Sequence, residues 1–193
     1  MTPEDLEIYV SQRKTWNEID LSSKEIKVIP EGLFDACENL ETLNLSGNYL
    51  NSLPLGLFNH CPELYYLDLS NNKFKTLPSK IFIHCFNLQD LNLSHNKLEK
   101  LPEGLFDINI ELLYLDISYN YIGDGKLPLR LFDNCLKLQD LAANNNLFTE
   151  ISLPRDFNHP EFNLDVDNEF RFKIKFHLRL ETKRLLSFNG RNF

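Results

Sequence analysis

One eleven-residue phrase returns along this chain at a fixed spacing, and no other property narrows its fold so far. It reads LETLNLSGNYL at 40–50, LYYLDLSNNKF at 64–74, LQDLNLSHNKL at 88–98, LLYLDISYNYI at 112–122 and LQDLAANNNLF at 138–148. The first four copies start 24 residues apart, and the fifth starts 26 on because YIGDGK at 121–126 adds two residues. Upstream, WNEIDLSSKEI at 16–26 fits the frame one period earlier, with Trp16 for the first Leu and Lys24 for the Asn. A second phrase follows each unit: IPEGLF, LPLGLF, LPSKIF, LPEGLF or LPLRLF. An apolar triplet at period two reads as a half-buried strand, and the LP after it ends the strand by removing a ladder donor. One unit cannot bury its apolar face alone, so neighbours must stack and share a core.

In wording and period the chain resembles the leucine-rich-repeat family, in its 24-residue form LxxLxLxxNxLxxLPxxLFxxx, with six repeats in register over about residues 16–154. The resemblance implies an α/β solenoid, curved, with short parallel strands on a concave face and irregular or 3₁₀ turns on the convex one. The column Asn48, Asn72, Asn96, Asn120 and Asn146 is read as scaffold, because a buried amide at a tight turn can both donate to and accept from the backbone of adjacent repeats. Lys24 breaks that column in the first repeat, where one side has no neighbour to bond.

A solenoid with bare apolar ends needs caps. The expected division is an N-terminal helical cap at 1–15, the solenoid at 16–154 and a C-terminal cap at 155–193. Thr2-Pro3-Glu4-Asp5 reads as an N-cap, proline at the first helical position and acids in the first turn, so residues 2–14 are expected to form a short helix. Leu6, Tyr9, Val10 and Arg13 follow at helical spacing. At the other end EFNLDVDNEF fits a seventh half-repeat with Leu164 and Val166 inward, and FRFKIKFHLRLE (170–181) alternates strictly, with Phe170, Phe172, Ile174, Phe176, Leu178 and Leu180 on one side. Asp167-Asn168 is placed to turn the chain back into an antiparallel hairpin, and ETKRLLSF to form a short helix closed by Asn189-Gly190. The favoured reading of 170–181 is a cap that blunts an open sheet edge; the sharper one makes it a docking or dimerising edge.

Charge divides the chain. Residues 171–193 hold seven Lys/Arg and one acid, residues 1–170 thirteen basic and twenty-seven acidic residues, and the formal net charge is −8. An acidic body argues against nucleic acid on the solenoid and against an anionic membrane surface. No apolar run approaches the length of a membrane span, and the N-terminus, MTPEDLEIYVSQRK, lacks the apolar region of a secretory signal. Cys37, Cys61, Cys85 and Cys135 each sit three residues before a repeat's first Leu, with Asn109 in the one unit lacking Cys. Such a slot suits a small buried residue, so free thiols and a cytoplasmic setting are expected, with export as an effector left open. His60-Cys61 and His84-Cys85 lie one repeat apart, but neighbours on an extended segment point to opposite sides and no paired-Cys spacing supports zinc. Two sequons, Asn44-Leu-Ser46 and Asn92-Leu-Ser94, fall on concave positions where glycans would block the face. No cofactor is expected, and no nucleophile elbow, phosphate loop or metalloprotease motif suggests an enzyme.

What distinguishes this chain lies in the gaps of the pattern. Two outward columns run down the strands: Glu18, Thr42, Tyr66, Asp90, Tyr114, Asp140, and Asp20, Asn44, Asp68, Asn92, Asp116, Ala142, with Asp165 added if the half-repeat forms. Six of those twelve positions are acidic, two are tyrosine and none is Lys or Arg. Asp or Asn in the second column is common wording in the family, so the first column says more. Alternation of Asp with Asn spaces the second-column carboxylates roughly 9–10 Å apart, near the Debye length at about 0.1 M salt, and limits their repulsion. Tyrosine supplies rigid contact area and carboxylates steer a basic partner. Glu18, Asp20, Tyr66, Asp68, Asp90, Tyr114, Asp116 and Asp140 are therefore the candidate face for a basic protein or peptide, with Tyr65 at its flank. The rival reading is a scaffold acting through the basic strand 170–181. The insertion at 121–126 is a further candidate, and plain loop growth explains it equally well. The oligomeric state is open.

Overall fold

A computed structural model describes residues 1–154, 157, 162–166 and 173–177. Each repeat yields one short strand: β1 (Glu18–Asp20), β2 (Thr42–Asn44), β3 (Tyr66–Asp68), β4 (Asp90–Asn92), β5 (Tyr114–Asp116) and β6 (Asp140–Ala142). Three more follow, β7 (Glu150–Pro154), β8 (Asn163–Asp165) and β9 (Lys173–His177). β1 to β6 pair in parallel in chain order, and β8, from the half-repeat, adds beside β6 as the seventh strand. The middle residue of each of the six, Ile19, Leu43, Leu67, Leu91, Leu115 and Leu141, is buried, and its two neighbours face outward.

The strands are short because the backbone turns over just past them. Ser23, Gly47, Asn71, His95, Tyr119 and Asn145 stand one per repeat, immediately before the position of the Asn column, and all adopt φ between 53° and 66°. No strand continues through a left-handed residue. The asparagines then lock each turn. The Asn72 amide donates to Leu45, Leu69 and Ser70 carbonyls and accepts from the Leu50 N–H, at 2.9 to 3.2 Å. Asn48, Asn96, Asn120 and Asn146 repeat the arrangement. The Asn48 oxygen also accepts from the Lys24 N–H, so the first repeat is held by its neighbour's asparagine.

On the convex side Phe34, Phe58, Phe82 and Phe106 stack ring on ring at 6.2 to 6.4 Å. The four cysteines are free and buried beneath these turns, and burial pushes the Cys61 and Cys135 thiols up to about 12. Only thiolate reacts with a disulfide reagent. Native protein at pH 8 should therefore give no fast colour with Ellman's reagent, and four thiols should appear once it is denatured. The glycine slot of IPEGLF is a second left-handed position: Gly32, Gly56 and Gly104 have φ of 69° to 81°, and Lys80 holds the same slot at 62°. Lys80→Gly should raise the unfolding free energy by about 0.5–1 kcal/mol, the left-handed penalty of lysine less the chain entropy that glycine adds. A urea titration reads that gain directly.

At the N-terminus α1 (Pro3–Ser11) is somewhat shorter than the expected 2–14. Thr2 and Asp5 form a reciprocal capping box, and Leu6 and Val10 enter the core over the first repeat. Because those two residues already fill that end, Trp16 does not take up the inward place of the first Leu; it is 52% exposed.

The C-terminal expectation needs correction. β9 is a strand, but it pairs in parallel with β7, from Glu150↔Lys173 to Pro154↔His177, and does not form an antiparallel hairpin with the half-repeat. An alternating pattern fixes neither a strand's partner nor its direction: β8 adds at the end of the seven-stranded sheet beside β6, and β9 joins β7 in a separate two-stranded sheet. Ile174, expected inward, is 45% exposed. Asp167-Asn168, Phe170, Phe172, Leu178, Leu180, ETKRLLSF and Asn189-Gly190 lie outside the described residues.

Candidate functional site

Strand register decides which outward side chains become neighbours. Glu18, Thr42, Tyr66, Asp90, Tyr114, Asp140 and Asn163 are successive partners across the sheet, and so are Asp20, Asn44, Asp68, Asn92, Asp116, Ala142 and Asp165. All eight candidate residues therefore share one sheet face. They divide into Glu18 and Asp20 on β1 and the other six on β3 to β6, separated by the uncharged Thr42 and Asn44 of β2.

The second column has a structural duty that its wording hides. Asp20, Asn44, Asp68, Asn92 and Asp116 each accept the N–H of the serine two residues on, at 2.8 to 3.0 Å. In these five repeats Asp or Asn thus helps to start the turn, while the sixth makes the same turn with Ala142, and the choice of Asp over Asn is free to carry charge. The Ser22 N–H holds the Asp20 carboxyl below the usual carboxylate range.

The first column is bound differently. The Tyr114 hydroxyl donates to Gln139 at 3.1 Å and its ring is 41% exposed. Asp140 accepts from the Asn163 amide at 3.1 Å. Asp90, half-buried on β4, accepts no hydrogen bond among the described residues; burial first, then Asp68 and Asp116, raise its carboxyl above the ordinary value. Burial, with Asp68 and Asp90 adding to it, likewise raises the Tyr66 phenol.

A carboxyl whose folded pKa exceeds its unfolded one contributes stability below the unfolded pKa and loses it as pH rises through the folded one. At neutral pH the Asp90 charge therefore opposes folding. Asp90→Asn should raise the melting temperature at pH 7 and leave it unchanged near pH 3, where both states carry a neutral group. Melting curves of the two proteins across that range read the difference.

Two arrangements near the face were not legible in the repeat frame. At the β1 end, Tyr9, Trp16, Asn17, Glu18 and Asp20 line a hollow of about 320 Å³. There the Arg13 guanidinium lies 3.6 Å from the Tyr9 ring centre and 4.9 Å from that of Trp16. A tryptophan in a leucine slot, beside a helix able to fill the core itself, was the available signal. Past the strands, the His95 and Tyr119 rings stack at 4.2 Å on their left-handed residues, beside Asn71, Tyr121 and Asn145. The insertion is tied down: Asp124 accepts from the Thr149 N–H at 2.6 Å, and Gly123 bridges to Leu147. His60 and His84 are exposed while Cys61 and Cys85 are buried, so the two pairs do not converge. Among the described residues no helix is long and apolar enough to cross a membrane.

A family model described as leucine rich repeat matches residues 17–74 and 62–122. No curated protein matches the chain at a significant level. Similar solved structures include the leucine-rich repeat domain of APL1B, at 22% identity and TM-score 0.66 over 93% of this chain and 55% of that one. The leucine-rich repeat domain of APL1 gives 21% identity and TM-score 0.70, over 89% of this chain and 47% of that one. A chain of the Toll–Spatzle complex of Drosophila gives 27% identity and TM-score 0.55, over 83% of this chain and 26% of that one. This chain thus spans from a quarter to about half the length of these neighbours.

Proposed function

Because this chain belongs to the leucine-rich-repeat family, whose repeats build interaction modules, we propose that it is a non-enzymatic binding module that takes a basic protein or peptide on its concave face. One observation carries the reading: seven strands in unbroken register present two outward columns that hold carboxylates and tyrosines and no Lys or Arg. A sheet face without a single cation, on a chain with twenty Lys/Arg, repels basic partners nowhere along its length. Supporting it, the Toll neighbour was solved in complex with Spatzle, so a relative of the same architecture engages a protein. The proposed partner surface comprises Glu18, Asp20, Tyr66, Asp68, Asp90, Tyr114, Asp116 and Asp140, with cytoplasmic residence supported by the four free, buried thiols.

The test immobilises wild type and the variant Tyr66→Ala/Asp90→Lys/Tyr114→Ala and identifies what each retains. A basic protein held by wild type and lost by the folded variant supports the reading, and equal retention overturns it. The rival, function through the C-terminal strand, draws on the exposed Ile174 of β9. Against it, the Lys175 ammonium is already engaged by Glu150 on the paired strand at 2.7 to 2.8 Å.

A further inference from the structure

Resting on the concave-face reading, we propose that this sheet face is built around one arginine side chain of its partner, seated over Asp90 between Tyr66 and Tyr114. Three observations converge on that spot. Register places Tyr66, Asp90 and Tyr114 as consecutive partners on β3, β4 and β5. At roughly 4.8 Å per strand the two tyrosine backbones stand about 10 Å apart with Asp90 midway, so a cation above Asp90 lies within the ~6 Å reach of either ring. The Tyr114 hydroxyl donates to Gln139, so this ring, on the strand next to Asp90, is held in one place before any partner arrives.

The acceptors around Asp90 match a guanidinium. Both Asp90 oxygens lack a donor among the described residues. On the diagonals, Asp68 uses Oδ1 for the Ser70 N–H, and Asp116 uses Oδ1 for the Ser118 N–H and hydroxyl, which leaves Oδ2 of each. Acceptors are thus spread over two strand spacings. A planar guanidinium reaches several of them with its fork of five donors while its faces meet the rings, whereas an ammonium is a compact point charge that must choose. A guanidinium also relieves the mutual repulsion of Asp68, Asp90 and Asp116, which at present stand against one another with no cation among the paired strand residues.

The closing experiment titrates the isotope-labelled full chain with three glycine/serine-flanked peptides that differ only in a central Arg, Lys or citrulline, followed by backbone NMR shifts. The expected result is Arg tighter than Lys by roughly tenfold, the equivalent of one additional charge-assisted hydrogen bond, with shifts centred on Tyr66, Asp90 and Tyr114. Citrulline, of the same shape without the charge, should not bind. In Asp90→Asn, whose fold is checked by its own spectrum, the Arg-over-Lys ratio should fall to about one. Arg and Lys bound equally on this face would overturn the arginine inference and leave the basic-partner reading standing. Citrulline bound as well as Arg, or no shift on the concave strands with any peptide, would overturn both.

Discussion

Asn96→Leu is expected to lower the unfolding free energy by about 3–5 kcal/mol, a large part of the stability of a domain this size. Asparagine and leucine are close in volume, so the loss isolates hydrogen bonding from cavity formation. The substitution strands the Phe74 N–H, which donates to the Asn96 oxygen at 3.1 Å, and removes the amide donor shared by the Leu69, Leu93 and Ser94 carbonyls. Each buried group left unpaired costs roughly 1–3 kcal/mol, and the costs do not simply add. Asn146, half-buried near the end of the array, makes the same bonds where water can replace them, so Asn146→Leu should cost well under half as much. Urea unfolding of the two variants measures both. A cost below about 1 kcal/mol for Asn96→Leu would mean that the strand and core contacts alone hold the turns.

Tyr66→Ala/Asp90→Lys/Tyr114→Ala should weaken partner binding at least 100-fold while the array stays folded. An anchoring aromatic at the centre of an interface is worth ~2 kcal/mol or more when truncated, and two of them lie here side by side with Asp90. The charge reversal turns the most crowded carboxylate into a cation facing a cationic partner, which also slows encounter. Folding is spared because all three side chains face outward, and a lysine at 90 relieves repulsion from Asp68 and Asp116. Titration calorimetry with the identified partner reads the affinity, and circular dichroism the fold. Binding of wild type should also fall as salt rises, since none of the steering carboxylates is fully buried.

Much of this architecture could be read from the sequence, because a 24-residue period leaves the register of stacked strands little freedom. Tyr66 opposite Asp90 opposite Tyr114 followed from spacing alone and is what the strands do. The asparagine column was legible for the same reason, as a buried amide beside a strand end has few partners but the backbone. What the frame hid depended on contacts between unlike parts. Trp16 stands where the frame has its first Leu, yet it is exposed, and Leu6 and Val10 of α1 are buried in the core instead. β9 carries a clear strand pattern, but alternation is blind to direction and partner, and it joined β7 in parallel. The serine bonds of Asp20, Asp68 and Asp116 were invisible too, since a carboxylate that starts a turn and one that attracts a ligand are spelled alike.

The regular register also gives the charged face a parity. With Asp and Asn taking turns on β1 to β5, each carboxylate of the second column has an amide beside it. Excision of one period, residues 88–111, would set Asp68 directly against Asp116 and Tyr66 against Tyr114, about 4.8 Å apart, and the sheet would gain a like-charge pair. Removal or duplication of two periods within that run keeps the alternation intact. The direction of a single-unit change therefore matters: loss of an Asn-bearing unit or duplication of an Asp-bearing one brings second-column carboxylates side by side, whereas loss of residues 64–87 sets Asn44 beside Asn92 and adds no like-charge pair.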